Sequence, residues 1–445
     1  MVNLPRLIPF KLVAGTGFAI FAGMSLSLFF RDSGGTIPVM AGIFGFAVVM
    51  WIFEIFPLWV TGILVIVAQL LFVPLPDGPI DYLKQIKSPT MILILGGLCL
   101  GGALQHGGAS SQLIGKWMRA IGDRPKTLVI GLMFVTAFLA MWMTNTAAAA
   151  VTLPLILPLF TRLEAHPNLR KSLLLAIGFG ANLGAIATPV GTAPNLIAIT
   201  LLRERGFEIT FAQWMGMTLP FAILLLGIGS LLLIRLYPPE NSPLPIFQVT
   251  SQKWTPRGIA SLVILASTGA LWLLSPYHPI PESMVALGAI ALILATRLLS
   301  PRQFLALDWG LLVLIWSGLV LGLGIEKSGL AQVLIQLPIF QITPYSLAIG
   351  LIVMALILSA TMSNTATAIM IMPVALNSLP ATQSWAVIFI ALSCSVGMFL
   401  PISTPANMLI FSKSWLRTKD ILAAGGFISI AGLILLILGY LIISH

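Results

Sequence analysis

The chain has 445 residues, of which 58% are hydrophobic and only 8% charged, and its mean hydropathy is +1.04. That composition excludes a soluble globular domain, which needs far more charged surface to stay monomeric in water, and it defines an all-α polytopic membrane protein. A formal charge of +10 raises nucleic acid as a partner, but the basic residues punctuate apolar segments and form no stripe with exposed aromatics, so the charge reads as topogenic.

At the N-terminus, Arg6 and Lys11 precede an apolar run from Leu12 to Phe30. The order of charge and apolar core is that of a signal peptide, but the run is long enough to span and lacks a clear A-x-A site, so it predicts a first transmembrane helix near 8–30. Further segments of spanning length fall near 36–54, 57–74, 90–105, 171–201, 209–236, 257–275, 283–298, 310–326, 383–411 and 421–443, giving about 11 transmembrane helices. Two longer runs, near 126–163 and 344–380, exceed the roughly 20 residues of one span. Each carries a polar triplet near its middle, Thr144-Asn145-Thr146 in the first and Ser363-Asn364-Thr365 in the second, where a re-entrant helical hairpin would turn. Cys99 and Cys394 lie within apolar runs and the four histidines are scattered, so neither a disulfide framework nor a transition-metal site is expected.

The positive-inside rule orients this map. Lys116, Arg119, Arg124 and Lys126 precede the first hairpin, and Arg162, Arg170 and Lys171 follow it, so it opens to the cytoplasm. Continuing the alternation puts Arg235, Lys253, Arg257, Arg297, Arg302, Lys413, Arg417 and Lys419 inside, with a cytoplasmic N-terminus and an external C-terminus. The second hairpin has almost uncharged flanks, as an outward-opening one should.

The two halves read as repeats. Gly97, Leu98, Gly101 and Gly108 match Gly318, Leu319, Gly322 and Gly329; the triplets follow; then TPVGTAPN (Thr188 to Asn195) matches LPISTPAN (Leu400 to Asn407) at Pro189/Pro401, Thr192/Thr404 and Asn195/Asn407. Five expected crossings separate equivalent points, an odd number, so the repeats are expected to be inverted. Pro189, Gly191 and Pro194 interrupt one segment and Pro401 and Pro405 another, which is how secondary transporters build sites from discontinuous helices.

Each triplet should open the second helix of its hairpin, presenting free N–H groups and positive dipole to an anion such as a carboxylate. Its hydroxyl, amide and freed carbonyl oxygens suit a hard cation such as sodium. A lone triplet reads as a helix cap or interhelical hydrogen bonding; its recurrence at equivalent positions points to a site. No Asp, Glu or His lies near the centre of these motifs, which favours sodium over proton coupling, although Glu54 and Glu326 at segment ends leave a proton route open. No Lys or Arg lies in them either, so an anion must be held by amides, hydroxyls and helix dipoles.

With its paired triplets, its TAPN and TPAN breaks and WIFEIFPLWVTGIL (Trp51 to Leu64), the chain resembles the divalent anion:sodium symporters over nearly its whole length. The resemblance implies a sodium-coupled symporter of di- or tricarboxylates such as succinate, malate or fumarate, with sulfate as the nearest rival. It implies two sodium sites: Thr144, Asn145 and the backbone near Gly191; and Ser359, Ser363, Asn364 and the backbone near Ser403. Asn145, Thr146, Thr192, Asn364, Thr365 and Thr404 would face the anion, with Pro405 beside it. It further implies a homodimer with scaffold parts at residues 1–125 and 256–343, and transport parts at 126–236 and 344–445 that move as a unit in an elevator-like way. The chain departs from the family pattern at Thr144, which keeps the hydroxyl, at Ala193 and Ala406, which each replace one of two prolines, and at Ala140, where a hydroxyl is often found. Ala140 predicts a weaker first sodium site and keeps a sodium-independent anion exchanger in play. A channel lacks its ring of charges, and an intramembrane enzyme lacks a base beside its nucleophile.

Overall fold

Where no water is present to pair with a backbone N–H or C=O, each unpaired group costs several kcal/mol, so an apolar chain satisfies its backbone within helices. The computed structural model describes residues 7–75, 78, 80–122, 124–160, 163, 166–239, 254–337, 343–412 and 415–444, and among them every regular element is a helix. Seven helices among the described residues are long and apolar enough to cross a membrane. Arg6, Arg162, Lys253 and Lys413, used above to orient the chain, lie outside the described residues.

The first half comprises α1 (Leu7–Phe29), α2 (Ile37–Ile52), α3 (Leu58–Phe72), α4 (Ile80–Lys84), α5 (Pro89–His106), α6 (Ala109–Ile121), α7 (Pro125–Ala140), α8 (Asn145–Phe160), α9 (Pro167–Ala185), α10 (Ala193–Glu204) and α11 (Phe211–Leu236). The second comprises α12 (Pro256–Leu273), α13 (Glu282–Ala295), α14 (Pro301–Leu305), α15 (Trp309–Lys327), α16 (Leu330–Gln336), α17 (Pro344–Thr361), α18 (Asn364–Ser378), α19 (Ala386–Val396), α20 (Pro405–Phe411) and α21 (Thr418–Ser444). Helices cover every segment expected from the sequence, and both long runs divide at their triplets. The short helices α4, α6, α14 and α16 were not expected. At 13 residues, α6 is too short to span and has one polar face, so a search for long apolar runs passes over it. α6 and α16 each start after a glycine with positive φ, Gly108 (80°) and Gly329 (82°), which turns the chain sharply out of the preceding helix.

Packing crosses between the halves reciprocally. α5 packs on α13 and α15 on α3; α8 packs on α20 and α18 on α10. α7 and α9 pack backbone to backbone at Gly180 and Gly184, where a Cβ on Gly184 would overlap the Ala137 carbonyl oxygen and one on Gly180 that of Met133. Glycines four apart on one helix allow this in a membrane, where dispersion and shape hold helices together.

At one end of α9, the Lys171 ammonium donates to Asp420 Oδ1 at 3.0 Å, while the Arg417 N–H donates to Asp420 Oδ2 at 2.8 Å. The Tyr237 hydroxyl donates to the Asp420 backbone oxygen at 3.1 Å, so one carboxylate-centred cluster ties α9, α11 and α21. Burial first, and then the neighbouring Asp420, pushes the Tyr237 phenol above its ordinary value and keeps it a donor. Asp420→Ala is expected to cost about 2 kcal/mol of stability, the worth of hydrogen bonds to a charged group. A thermal melt of the purified protein indistinguishable from wild type would refute this.

Candidate functional site

Both hairpins turn where the sequence places the triplets. Between α7 and α8 the chain turns through Met141 to Thr144, and Thr144 Oγ1 accepts the Ala147 N–H at 3.3 Å, so Thr144 caps α8. Between α17 and α18, Ser363 occupies the cap position with its hydroxyl unused as a cap. Each hairpin helix has 15 to 18 residues. At 1.5 Å per residue that is roughly 22–27 Å, short of the ~30 Å hydrocarbon core.

The two broken helices meet these turns. α9 ends at Ala185 and α10 begins at Ala193; α19 ends at Val396 and α20 begins at Pro405. Prolines in the breaks deny an N–H to a continuing helix, and the carbonyls so freed are paired by side chains. Asn195 Nδ2 donates to the carbonyls of Ala185, Ile186 and Thr188 at 3.1, 3.3 and 2.8 Å. Asn407 Nδ2 donates to those of Met398 and Leu400 at 3.0 and 3.3 Å and to Ser403 Oγ at 3.2 Å. From α11, Trp214 Nε1 and Thr218 Oγ1 donate to Ile186 and Ala187, and from α21 Ser429 Oγ donates to Val396.

Around these breaks lies a cavity of about 670 Å3. Its wall includes Thr144, Asn145, Thr146, Gly191, Thr192, Ser363, Asn364, Thr365, Ser403 and Pro405, so four helices, α8, α10, α18 and α20, begin at one space. Their positive dipole ends meet at this space, with the Thr146, Ala147 and Asn407 N–H groups of the first turns capped by side-chain oxygens. Asp308 and His106 also line the wall, and among the described residues no Lys or Arg does. Small residues give the turns access: a Cβ on Gly101 of α5 would lie 2.8 Å from Met143 Cβ, and one on Gly97 would lie 2.9 Å from Val190 Cβ.

Two expected site residues do not line the cavity. Ser359 is fully buried in α17, where its hydroxyl donates to the Leu356 carbonyl at 3.1 Å and packs against Gly397. Thr404 is buried as the cap of α20, its Oγ1 accepting the Asn407 N–H at 3.1 Å. Sequence reasoning also left three asparagines out of the site. Asn195 and Asn407 were matched as a repeat pair without a role. Asn182, 1% exposed in the last turn of α9, had no motif to mark it, only the oddity of an amide within GFGANLGA.

As ligands for a hard cation, neutral oxygens at the two turns fit. Asn145 Oδ1 lies at the start of α8, 2.8 Å from the Thr146 N–H, and Asn364 Oδ1 is buried with no hydrogen-bond partner among the described residues. No group of three His, Cys, Asp or Glu suited to a transition metal occurs among the described residues.

Comparison with known proteins places these features in a lineage. The family model described as "Citrate transporter" (CitMHS) matches residues 48–395. A protein of Haemophilus influenzae named an uncharacterized transporter is 29% identical over 425 residues, covering 89% of this chain and 90% of its own. The sodium-dependent dicarboxylate transporter SdcS of Staphylococcus aureus is 29% identical over 437 residues, covering 87% of this chain and 82% of its own. Among solved structures, the Alcanivorax borkumensis YdaH transporter superposes with a TM-score of 0.55 at 14% identity, over 79% of this chain and 85% of that one. MtrF of Neisseria gonorrhoeae gives the same TM-score at 16% identity, over 82% and 84%. At such identities the likeness concerns the fold alone.

Proposed function

The chain belongs to the citrate transporter family, whose members are multi-pass membrane transporters and not enzymes, and from that premise we propose a sodium-coupled symporter of di- or tricarboxylates such as succinate, malate or fumarate. One observation carries the reading: two hydroxyl-Asn-Thr triplets, opening α8 and α18, converge with the start of α10 on one cavity whose wall contains no Lys or Arg among the described residues. A molecule with a carboxylate at each end matches two such poles, held by N–H groups, hydroxyls and dipoles. Sulfate, a compact dianion that also bridges two poles, is the alternative substrate.

Sodium enters as the co-transported ion, about two per cycle. Thr144, Asn145 and the backbone near Gly191 hold one, and Ser363, Asn364 and the backbone near Ser403 hold the other, with Ser359 behind them. Asn145, Thr146, Thr192, Asn364 and Thr365 meet the anion beside Pro405, with Thr404 acting through its cap of α20. Each sodium neutralises part of the anion's charge, so neither binds well without the other. The SdcS name supports the coupling ion. Ala140, which adds no hydroxyl behind the first triplet, supports sodium-independent anion exchange as a second reading.

The reciprocal contacts between halves support two repeats of inverted topology: α5–α13 with α15–α3, and α8–α20 with α18–α10. In this arrangement the protein sits in the cell's inner (plasma) membrane as a homodimer, N-terminus inside and C-terminus outside. Residues 1–125 and 256–343 form the scaffold, and 126–236 and 344–445 carry the site across it. His106 and Asp308 on the cavity wall adjoin segments rich in basic residues, which fits a cavity open to the cytoplasm.

Radiolabelled succinate and sulfate uptake into proteoliposomes tests the reading. Two sodium ions descending a tenfold gradient supply about 2.8 kcal/mol, enough to hold the anion roughly 100-fold concentrated. Succinate accumulation that collapses when potassium replaces sodium is expected; uptake indifferent to sodium but driven by internal anion overturns symport.

A further inference from the structure

Asn182 joins the two halves of the site. Its Oδ1 accepts from Asn145 Nδ2 at 2.9 Å, and its Nδ2 donates to Thr404 Oγ1 at 3.2 Å and to Asn407 Oδ1 at 3.1 Å. The direction of this chain of amides is forced. Asn407 Nδ2 faces the Met398 and Leu400 carbonyls, which only accept, so Asn407 must turn its Oδ1 toward Asn182. Asn182 must then present Nδ2 to Asn407 and Oδ1 to Asn145, and Asn145 must present Nδ2 in return. Flipping any one amide sets donor against donor or acceptor against acceptor in a buried place, at the cost of at least two hydrogen bonds. The orientation of Asn145 in the first half is therefore dictated by the backbone of the break in the second.

We propose that Asn182 is a positioning residue that turns the Asn145 amide oxygen toward the first sodium and links that ion's site to the break that carries Ser403. With its Nδ2 committed to Asn182, Asn145 keeps Oδ1 for the α8 N-terminus and the cation. Among the described residues the second half has no such brace. Asn182 stands 13 residues before Asn195, and the residue 13 before Asn407 is Cys394, whose thiol cannot both accept and donate as an amide does. Asn364 Oδ1 lacks a partner among the described residues, whereas Asn145 Oδ1 accepts the Thr146 N–H. Thr188 Oγ1 adds to the asymmetry by donating to the Met141 carbonyl in the first turn, where the matching residue in the second half is Leu400. Pre-orientation by Asn182 compensates the first site for the hydroxyl that Ala140 does not supply, because a ligand already turned the right way loses less entropy on binding.

This inference rests on the sodium-symport reading, and the experiment separates the two. Sodium-activation curves of succinate uptake are measured in proteoliposomes for wild type, Asn182→Ala and Asn182→Leu, the last keeping volume without polarity. Sodium-dependent thermal stabilisation of each purified protein is measured alongside. The half-saturating sodium concentration is expected to rise about tenfold, with maximal velocity and the succinate KM at saturating sodium changing less than about threefold. Sodium stabilisation of the purified variants should shrink in parallel. A wild type whose uptake ignores sodium sinks the symport reading. A sodium-dependent wild type with an unshifted sodium curve in both variants, or an equal rise in succinate KM, sinks the role of Asn182 alone. Failure of both variants to fold makes Asn182 a folding residue and likewise overturns its positioning role.

Discussion

Asn145→Ala and Asn364→Ala are each expected to abolish measurable dicarboxylate uptake in proteoliposomes while leaving a protein that purifies as a folded species. Both amides sit at the first residue of a hairpin's second helix and on the cavity wall. An amide serving a charged ligand is worth about 1.5–3 kcal/mol. Its loss weakens binding by roughly 10- to 150-fold. In the proposed cycle the loss is incurred for both the ion and the anion it supports, so the two factors compound. The variants should differ in stability. Asn145→Ala also strips Asn182 of its donor, whereas Asn364 Oδ1 has no partner to lose among the described residues, so the first should melt lower than the second. Wild-type uptake in both variants would remove the triplets from the site.

What the sequence disclosed, and what it concealed, follows from how each feature is encoded. The triplets were legible because a polar cluster inside an apolar run is costly and because it occurs twice; the structure sets both at helix starts, as their capping chemistry requires. The breaks were legible because proline and glycine interrupt helices by covalent geometry. The bounds of the helices on either side were not: α19 stops at Val396 and α20 starts at Pro405, leaving a break longer than the two prolines alone imply. Thr404 and Ser359 show the limit of reading roles from motif position. A hydroxyl can serve the backbone of its own helix instead of the cavity, and which it does depends on a side-chain direction that spacing does not encode. Asn182 was invisible for a different reason. Its partners are 37, 222 and 225 residues away in sequence, so its meaning exists only once α8, α9 and α20 are packed together. The glycines that flank it, Gly180 and Gly184, are what let α7 and α9 close around that layer.

The other large effect is expected at the asparagines that hold the breaks open. Asn407→Leu and Asn195→Leu keep approximate volume and remove the donor on which three oxygens depend in each break. Leaving buried acceptors unpaired costs about 1–3 kcal/mol each, so either change should cost about 3 kcal/mol or more, even with Trp214, Thr218 and Ser429 still donating nearby. Asn407→Leu should be the worse of the two, because Asn407 Oδ1 also accepts from Asn182, and its loss frees the amide chain that orients Asn145. Asn195 Oδ1, by contrast, has no partner among the described residues, so Asn195→Leu leaves the first triplet braced. Thermal melts and uptake measured on the same preparations should therefore rank wild type, then Asn195→Leu, then Asn407→Leu. Equal loss in both would mean that the breaks act as independent structures and that the first triplet takes no instruction from the second half.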